Sequence, residues 1–112
     1  MIDYATGLTW QKSGSGNSMN LGAAQAYIQQ LNVKKYGGYS NWRLPTLEEA
    51  MSLMEPQKYG DLYIDPKFDQ TQLWIWTADK ESAGVAWVVS FLYGYCHLNL
   101  VGYDGVYVRA VR

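Results

Sequence analysis

The chain contains little of the chemistry from which most active sites are assembled. Among 112 residues there is one cysteine, Cys96, and one histidine, His97. No internal disulfide can form, and this pair alone provides neither a zinc site nor a thiol dyad. Adjacent residues of a strand also point to opposite faces. We therefore expect a protein that is not an enzyme, with no catalytic residue, no metal site and no cofactor.

Charge is sparse and almost balanced. Nine basic and ten acidic residues give a net charge of −1, and the basic residues form no cluster. Nucleic-acid binding needs a concentrated Lys/Arg surface, so we expect no nucleic-acid partner. No apolar run approaches a membrane span and residues 1–3 do not open a signal peptide, so membrane insertion is not expected either. Display on a cell or virion surface would require a targeting signal upstream of this chain or another mode of export.

The most informative absence lies in the last 25 residues, 88–112. This segment has no Lys, Glu, Gln, Met or Trp, whereas residues 1–87 contain 26 residues of these five types. Low strand propensity explains part of the loss of Lys, Glu and Gln. It does not explain the loss of Met, or of Trp in a chain that has five Trp residues.

The remaining composition describes one globular domain with an unusual set of aromatic residues. Hydrophobic residues make up 48% of the chain and charged residues 17%, as expected for a folded domain of this length. Ten Tyr and five Trp accompany only two Phe. Rings with a polar end suit both the rim of a core and a binding surface, because Tyr provides a large contact area at low rotamer cost.

Two helices are predicted from capping signals and apolar periodicity. Asn20 is a suitable N-cap for a helix from Leu21 to about Asn32, in which apolar residues recur at steps of three and four. Thr46, followed three residues later by Glu49, forms a capping box that opens a second helix. Arg43 stands just before this helix among apolar neighbours, so we expect it to pair with a carboxylate in a structural role.

Strands are predicted in the second half of the chain. Residues 73–77 and 83–91 are expected to form a hairpin, with the polar residues 79–82 as its turn. Residues 106–112 are expected to form a terminal strand. The segment between, about 92–105, has the composition of turn and loop, and its exposed apolar residues are typical of a binding surface.

Motifs along the chain carry a family resemblance. The most specific are GYSNWRLPT at 38–46 and VRAVR at 108–112, and they are accompanied by TGLTW at 6–10, WIWT at 74–77 and WVV at 87–89. Over nearly its whole length the chain resembles the uncharacterised family that includes the C-terminal domain of bacterial collagen-like adhesins. That family is similar to C-type-lectin-like folds, including the variable proteins of diversity-generating retroelements. The sequence departs from calcium-dependent lectins, since it lacks their carboxylate and disulfide framework.

The resemblance implies a fold and a division of the chain. The expected fold is α+β and C-type-lectin-like, with two helices packed on a small antiparallel sheet and much irregular loop. Residues 1–112 would form a single domain, with a scaffold at 1–87 and a variable region at 88–112.

The resemblance also gives the missing residue types a meaning. In these retroelements a reverse transcriptase misreads template adenines near the 3′ end of the gene, and the templates use asparagine codons that end in a pyrimidine. Randomising the adenines leaves that third base a pyrimidine. The codons of Trp, Lys, Glu, Gln and Met all require a purine at that position. The five absent residue types are therefore the five that this mechanism cannot encode.

The resemblance therefore implies a set of exchanged, ligand-binding residues, with Asn99 as an unaltered template position. The set consists of Ser90, Leu92, Tyr93, Tyr95, His97, Leu98, Asn99, Leu100, Gly102, Tyr103 and Asp104. The fixed scaffold of the tail would consist of Trp87, Phe91, Gly94, Val108, Arg109, Val111 and Arg112. Among these, Trp87, Phe91 and Val108 are expected to be buried, and Arg109 and Arg112 to form ion pairs or end the sheet.

The expected function is ligand binding through a hypervariable, Tyr-rich surface on a rigid scaffold. The ligand would be a protein or a glycan, and the sequence does not indicate its identity or an oligomeric state. The alternative is an invariant adhesin or surface structural module with a fixed protein or glycan partner.

Overall fold

A computed structural model describes residues 1–112 as an α+β fold with two sheets, which confirms the predicted class. None of its helices has the length and apolar character needed to cross a membrane. The elements are β1 (Ile2–Asp3), β2 (Leu8–Thr9), α1 (Leu21–Val33), a 3₁₀ turn (Tyr36–Gly38), α2 (Leu47–Ser52), β3 (Trp74–Ser82), β4 (Val85–Ser90) and β5 (Tyr95–Leu100).

Helix α1 begins where the capping signal predicts. The side chain of Asn20 accepts a hydrogen bond from the backbone N–H of Ala23 at 2.9 Å, which satisfies one of the free donors of the first turn. The helix ends at Val33, one residue beyond the expected end. Its buried residues are Leu21, Ala24 and Leu31. This spacing gives one apolar face, and Leu21 and Ala24 pack against the sheet.

Helix α2 is short, and polar contacts define its start. Thr46 and Glu49 form the predicted capping box, in which each side chain accepts a hydrogen bond from the other residue's backbone N–H. The carboxylate of Glu49 also accepts two hydrogen bonds from Arg43, at 2.6 and 2.8 Å. The expected pairing of Arg43 with a carboxylate is therefore confirmed, and it joins the chain before the helix to its first turn.

The hairpin is longer than predicted, and the expected turn at 79–82 is wrong. β3 continues through Ser82, so the chain reverses at residues 83–84 instead. The polar side chains remain exposed, while Lys80 and Ser82 pair with Ala86 and Val85 across irregular steps in the register. Asp79 has a further role, since its carboxylate accepts a hydrogen bond from the backbone N–H of Leu47 at the start of α2.

The expected loop after β4 contains a third long strand. β5 pairs along its whole length with β4, from Ser90 opposite Tyr95 to Val85 opposite Leu100. The main sheet therefore has the antiparallel order β3-β4-β5. In β5, Tyr, His and Asn alternate with Cys and Leu, which is a strand signal, but the segment was interpreted as turn and loop because glycines flank it and its apolar residues were expected to be exposed.

The last segment, residues 106–112, is extended but does not form the predicted continuous strand. It makes isolated bridges to several parts of the chain instead. The bridges join Met19 to Val106, Ile75 to Tyr107, and both Trp10 and Arg43 to Val111. Because its partners change along its length, the segment connects the first loop, the approach to α2 and β3.

The sheet is buried on both faces, since successive side chains of a strand alternate between faces. Ile75 and Val89 belong to one core cluster, with Trp10, Phe68 and Phe91. On the other face a second cluster is formed by Leu21, Ala24, Leu44, Trp76, Ala86, Val88, Val106 and Val108. Exposed residues of the sheet therefore lie mainly on β5 and on the end of β3 that follows Thr77.

Arg109 is fully buried, and the ion pair expected for it is not formed. Its Nη1 donates hydrogen bonds to the carbonyl oxygens of Gln11 (2.9 Å) and Lys12. Its Nη2 donates to the carbonyl oxygen of Asp69 (3.0 Å) and to Oε1 of Gln72 (3.1 Å). Burial lowers the pKa of the guanidinium to about 10, partly opposed by the charge of Asp69. Backbone carbonyls thus replace a carboxylate as its partners.

Of the two alternatives expected for Arg112, the ion pair is not formed, whereas its backbone pairs with Thr9 of β2 at the end of the chain. Its Nε donates a hydrogen bond to Oδ1 of Asn41 at 2.7 Å, and its guanidinium lies 3.6 Å from the centre of the Tyr39 ring.

Replacing the Arg109 guanidinium tests its role in the fold. Arg109→Met leaves several buried acceptors without donors, and we expect the free energy of unfolding to fall by about 3 kcal/mol or more. Arg112→Met is the control and should cost about 1 kcal/mol or less, since it removes one exposed hydrogen bond and one surface contact with the Tyr39 ring. Urea unfolding followed by tryptophan fluorescence measures both values. An Arg109→Met variant as stable as Arg112→Met would contradict this role.

The Glu49 carboxylate should make stability depend on acid pH. Its hydrogen bonds with Arg43, followed by those from Thr46, lower its pKa from 4.5 to about 2. A lowered folded-state pKa stabilises the protein above the unfolded value, and this contribution is lost as the pH falls from about 4.5 to about 2. We expect Glu49→Gln to lose about 1 kcal/mol at neutral pH and most of this acid slope. Glu48→Gln, in the same turn, should retain the slope in pH-dependent unfolding curves.

Candidate functional site

An aromatic depression lies at the β5 side of the sheet. Six residues line its cavity of about 200 Å³, and we refer to it as the aromatic cup. The lining residues are Trp74, Tyr93, Tyr95, His97, Asn99 and Tyr103. All except Trp74 belong to the tail segment 88–112 and to the predicted ligand-binding set.

The register of the sheet creates the cup. Tyr95, His97 and Asn99 alternate along β5, so their side chains share one face. Trp74 of β3 lies opposite Ser90 of β4, which in turn lies opposite Tyr95 of β5. A small side chain therefore separates two large aromatic ones across the sheet. This difference in height leaves a concave surface.

Ring contacts continue across the cup. Trp74 and Tyr93 are stacked, with centroids 6.2 Å apart and an interplanar angle of 16°. Tyr93 and Tyr95 meet edge to face at 6.0 Å and 82°, and Tyr95 and His97 are tilted at 5.9 Å and 44°. These geometries are favourable for rings with negative faces and positive edges. They hold the rings in defined orientations although their outer faces are exposed.

The far wall of the cup is held by the segment after β5. Indole Nε1 of Trp74 donates a hydrogen bond to the carbonyl oxygen of Gly105. Tyr107 then pairs with β3, donating to the carbonyl of Trp74 and accepting from the N–H of Trp76, both at 3.0 Å. Gly105 also lies close to the Tyr103 ring, since a Cβ there would stand 2.6 Å from Cε2. The absence of a side chain at Gly105 allows Tyr103 to fold over the turn.

The near wall depends on a tight turn between β4 and β5. Oγ of Ser90 accepts a hydrogen bond from the N–H of Tyr93 at 3.1 Å, and the carbonyl of Ser90 accepts one from Gly94 at 3.0 Å. Gly94 has φ +81°, and a Cβ there would stand 3.0 Å from the ring of Tyr63. Glycine is therefore required at position 94, which gives a physical reason for its predicted place in the scaffold.

Ser90 is the clearest correction to the predicted set. It is completely buried and forms the base of this turn, so it cannot present a side chain to a ligand. The burial expected for Phe91 and Val108 is confirmed, whereas Trp87 is only half-buried. The sequence could not distinguish these positions, because Ser and Trp occur both in cores and on surfaces.

The other predicted residues do not all lie in the cup. Leu98 and Leu100 are exposed on the opposite face of β5, and Leu92 is half-buried against the first core cluster. Gly102 and Asp104 lie exposed in the turn after β5. The tail thus presents exposed side chains on two faces of one edge strand.

Cys96 and His97 point to opposite faces of β5, as expected for neighbours on a strand. Cys96 packs against the first core cluster, whereas His97 lines the cup. Nδ1 of His97 is buried and has no hydrogen-bond partner. The structure contains no group of three or more His, Cys, Asp or Glu side chains that could hold a metal ion.

Trp74 is the cup residue that the sequence did not indicate. It lies in a strand that was interpreted as scaffold, and its pairing with the tail depends on long-range register. The alternation of Trp74 with Ile75 and Trp76 is the only local signal that its ring shares a face with Trp76.

This geometry describes an α+β domain with an exposed aromatic site at the edge of its sheet. The Lcl C-terminal domain family matches residues 1–112, and the chain belongs to that family. Membership confirms the family that the sequence motifs indicated and supports a surface or adhesin-like domain. No curated protein matches the chain.

Two substitutions, one at an exposed and one at a buried position, test which tail positions tolerate change. Leu100→Ser should change the free energy of unfolding by less than about 0.5 kcal/mol, because its side chain is 66% exposed. Ser90→Leu should cost about 2 kcal/mol, because position 90 is completely buried and the Oγ that accepts the Tyr93 N–H is lost. Thermal and urea unfolding measure both. Equal costs at the two positions would contradict the division of the tail into exposed and buried residues.

Proposed function

We propose that this domain is the ligand-binding variable protein of a diversity-generating retroelement and that its tail displays a hypervariable, Tyr-rich surface. The observation that carries the proposal is the absence of Lys, Glu, Gln, Met and Trp from residues 88–112. The same segment supplies five of the six residues that line the aromatic cup. A compositional boundary and a concave surface thus coincide in one part of the chain.

The burial pattern of the tail supports exchange without unfolding. Tyr93 is 62% exposed, Tyr95 53% and Tyr103 48%, so replacing these side chains removes little packing. Val88, Val89, Phe91, Val106, Val108, Arg109, Ala110 and Val111 are all completely buried. Buried residues on both sides of the exposed ones hold the backbone while the surface changes.

Binding would depend on aromatic contacts rather than on chemistry. Tyr side chains bury a large area with little loss of rotamer freedom, and a few such residues dominate many interfaces. The cup offers several of them around one depression, with small residues nearby at Gly94 and Gly102. We propose a binding module rather than an enzyme, because neither Cys96 nor His97 has a partner group with which to form a catalytic set.

A second candidate is an invariant adhesin-like domain with a fixed protein or glycan partner. Trp74 favours it, because this residue lies outside the tail and yet stacks on Tyr93 in the cup. A site that binds one fixed ligand would include such a ring from the unvarying part of the chain.

The DNA around the gene separates the two candidates. For a variable protein we expect a near-copy of the 3′ end of the gene, differing from it only where the copy has adenine, beside a reverse transcriptase gene. Sequencing of the flanking region in several isolates provides the test. If no such repeat is present, the retroelement proposal falls and the invariant domain remains.

Resequencing the gene in a growing population gives an independent measure. Substitutions should accumulate at codons such as those of Tyr93, Tyr95 and Tyr103. The codons of residues 1–87 serve as the internal control and should stay constant. Variation spread evenly over both parts of the gene would contradict the proposal.

A further inference from the structure

We infer that the aromatic cup binds a guanidinium group, as carried by an arginine side chain of a protein ligand. The inference rests on the proposed ligand-binding function and names the chemistry that this surface would recognise. It depends on the rings, the charges, the free polar atoms and the size of the cup.

The rings supply the main attraction. Trp74, Tyr93, Tyr95 and Tyr103 line one cavity, and Tyr93 stands parallel to Trp74 and almost perpendicular to Tyr95. The negative faces of Trp and Tyr attract an organic cation held within about 6 Å of the ring. A planar guanidinium can stack on one of these ring faces.

The charges around the cup do not oppose the binding of a cation. No Lys, Arg, Asp or Glu lines it. Between residues 88 and 108 the one formally charged side chain is that of Asp104, which lies exposed beside Tyr103. A bound cation therefore meets no repulsion from the lining residues. It also finds no carboxylate, so a strongly hydrated ammonium would lose water without gaining a counter-charge, whereas a guanidinium is more weakly hydrated.

The polar atoms that can meet a ligand in the cup are the hydroxyl oxygens of its tyrosines, which can accept hydrogen bonds. Nδ1 of His97 has no hydrogen-bond partner, but it is buried and does not face a ligand. Oδ1 of Asn99 already accepts the N–H of Leu100 at 2.9 Å. A guanidinium has donors for the tyrosine hydroxyl oxygens, whereas a quaternary ammonium has none.

The size of the cup suits a side-chain group. Its volume of about 200 Å³ is below the roughly 300–1,000 Å³ of sites that enclose a drug-sized ligand.

Contacts between a guanidinium and an aromatic ring already occur elsewhere in the chain. The guanidinium of Arg112 lies 3.6 Å from the Tyr39 ring centre, and that of Arg109 lies 4.7 Å from the centre of Phe68. The cup would provide the same contact for a partner.

Titration of the whole chain with N-methylguanidinium chloride tests the inference. Methylurea is the matched control, because it is planar and similar in shape but neutral. Calorimetry and the indole NMR signal of Trp74, at constant ionic strength, should show that N-methylguanidinium binds about tenfold more tightly than methylurea. Methylammonium and tetramethylammonium should both bind more weakly than N-methylguanidinium.

Variants locate the binding in the cup. Tyr95→Leu and Tyr103→Leu should each weaken binding about three- to tenfold, while Tyr95→Phe keeps the ring and most of the affinity. Tyr4→Leu is the control for a lost tyrosine, since Tyr4 is 90% exposed and does not line the cup. Two leucine variants are used because one of them could misfold, which its lowered thermal midpoint would reveal. The other variant then still tests the inference.

Several results would overturn the inference. Equal binding of methylurea would make the cup a merely apolar depression, and tighter binding of tetramethylammonium would assign it to a quaternary ammonium. Binding that survives both leucine variants would lie elsewhere. These outcomes are separate from the retroelement test, because a variable protein can bind other chemistry, and a guanidinium site can exist in an invariant domain.

Discussion

The guanidinium of Arg109 joins parts of the chain that are far apart in sequence. Its hydrogen bonds reach Gln11, Lys12, Asp69 and Gln72, and each acceptor is a neutral oxygen. The valines on either side of it are buried in the two core clusters. Since β4 is buried as well, the segment that carries the cup is fixed at both ends. The exposed residues between can differ in size and polarity because they are not needed to close the core.

The cup arises from register rather than from any single motif. Ser90 lies between Trp74 and Tyr95 across the sheet, and the same serine closes the turn that places Tyr93. A small buried residue therefore lies between two of the rings and positions a third. This arrangement separates two tasks within one short segment. Buried positions hold the backbone, and exposed aromatic positions are available for contact with a ligand.

Local physical chemistry made much of the scaffold predictable. The N-cap of α1, the capping box of α2 and the pairing of Arg43 with a carboxylate follow from residues close in sequence. The extension of β3 and the strand β5 were not predicted, because both depend on contacts between residues distant in sequence. The polar, exposed end of β3 has the composition of a turn and the flanking glycines give β5 the composition of a loop, whereas pairing with β4 makes both segments strands.

By itself, the sequence determined the α+β class, the two helices, the family and the unusual composition of the tail, because each depends on residue identity and short-range spacing. Tertiary structure alone decided which tail residues line the aromatic cup. It buried Ser90, moved Leu98 and Leu100 to the other face and brought Trp74 into the cup. The physical reason is that strand pairing joins residues distant in sequence, and the face on which a side chain lies changes with a register shift of one residue.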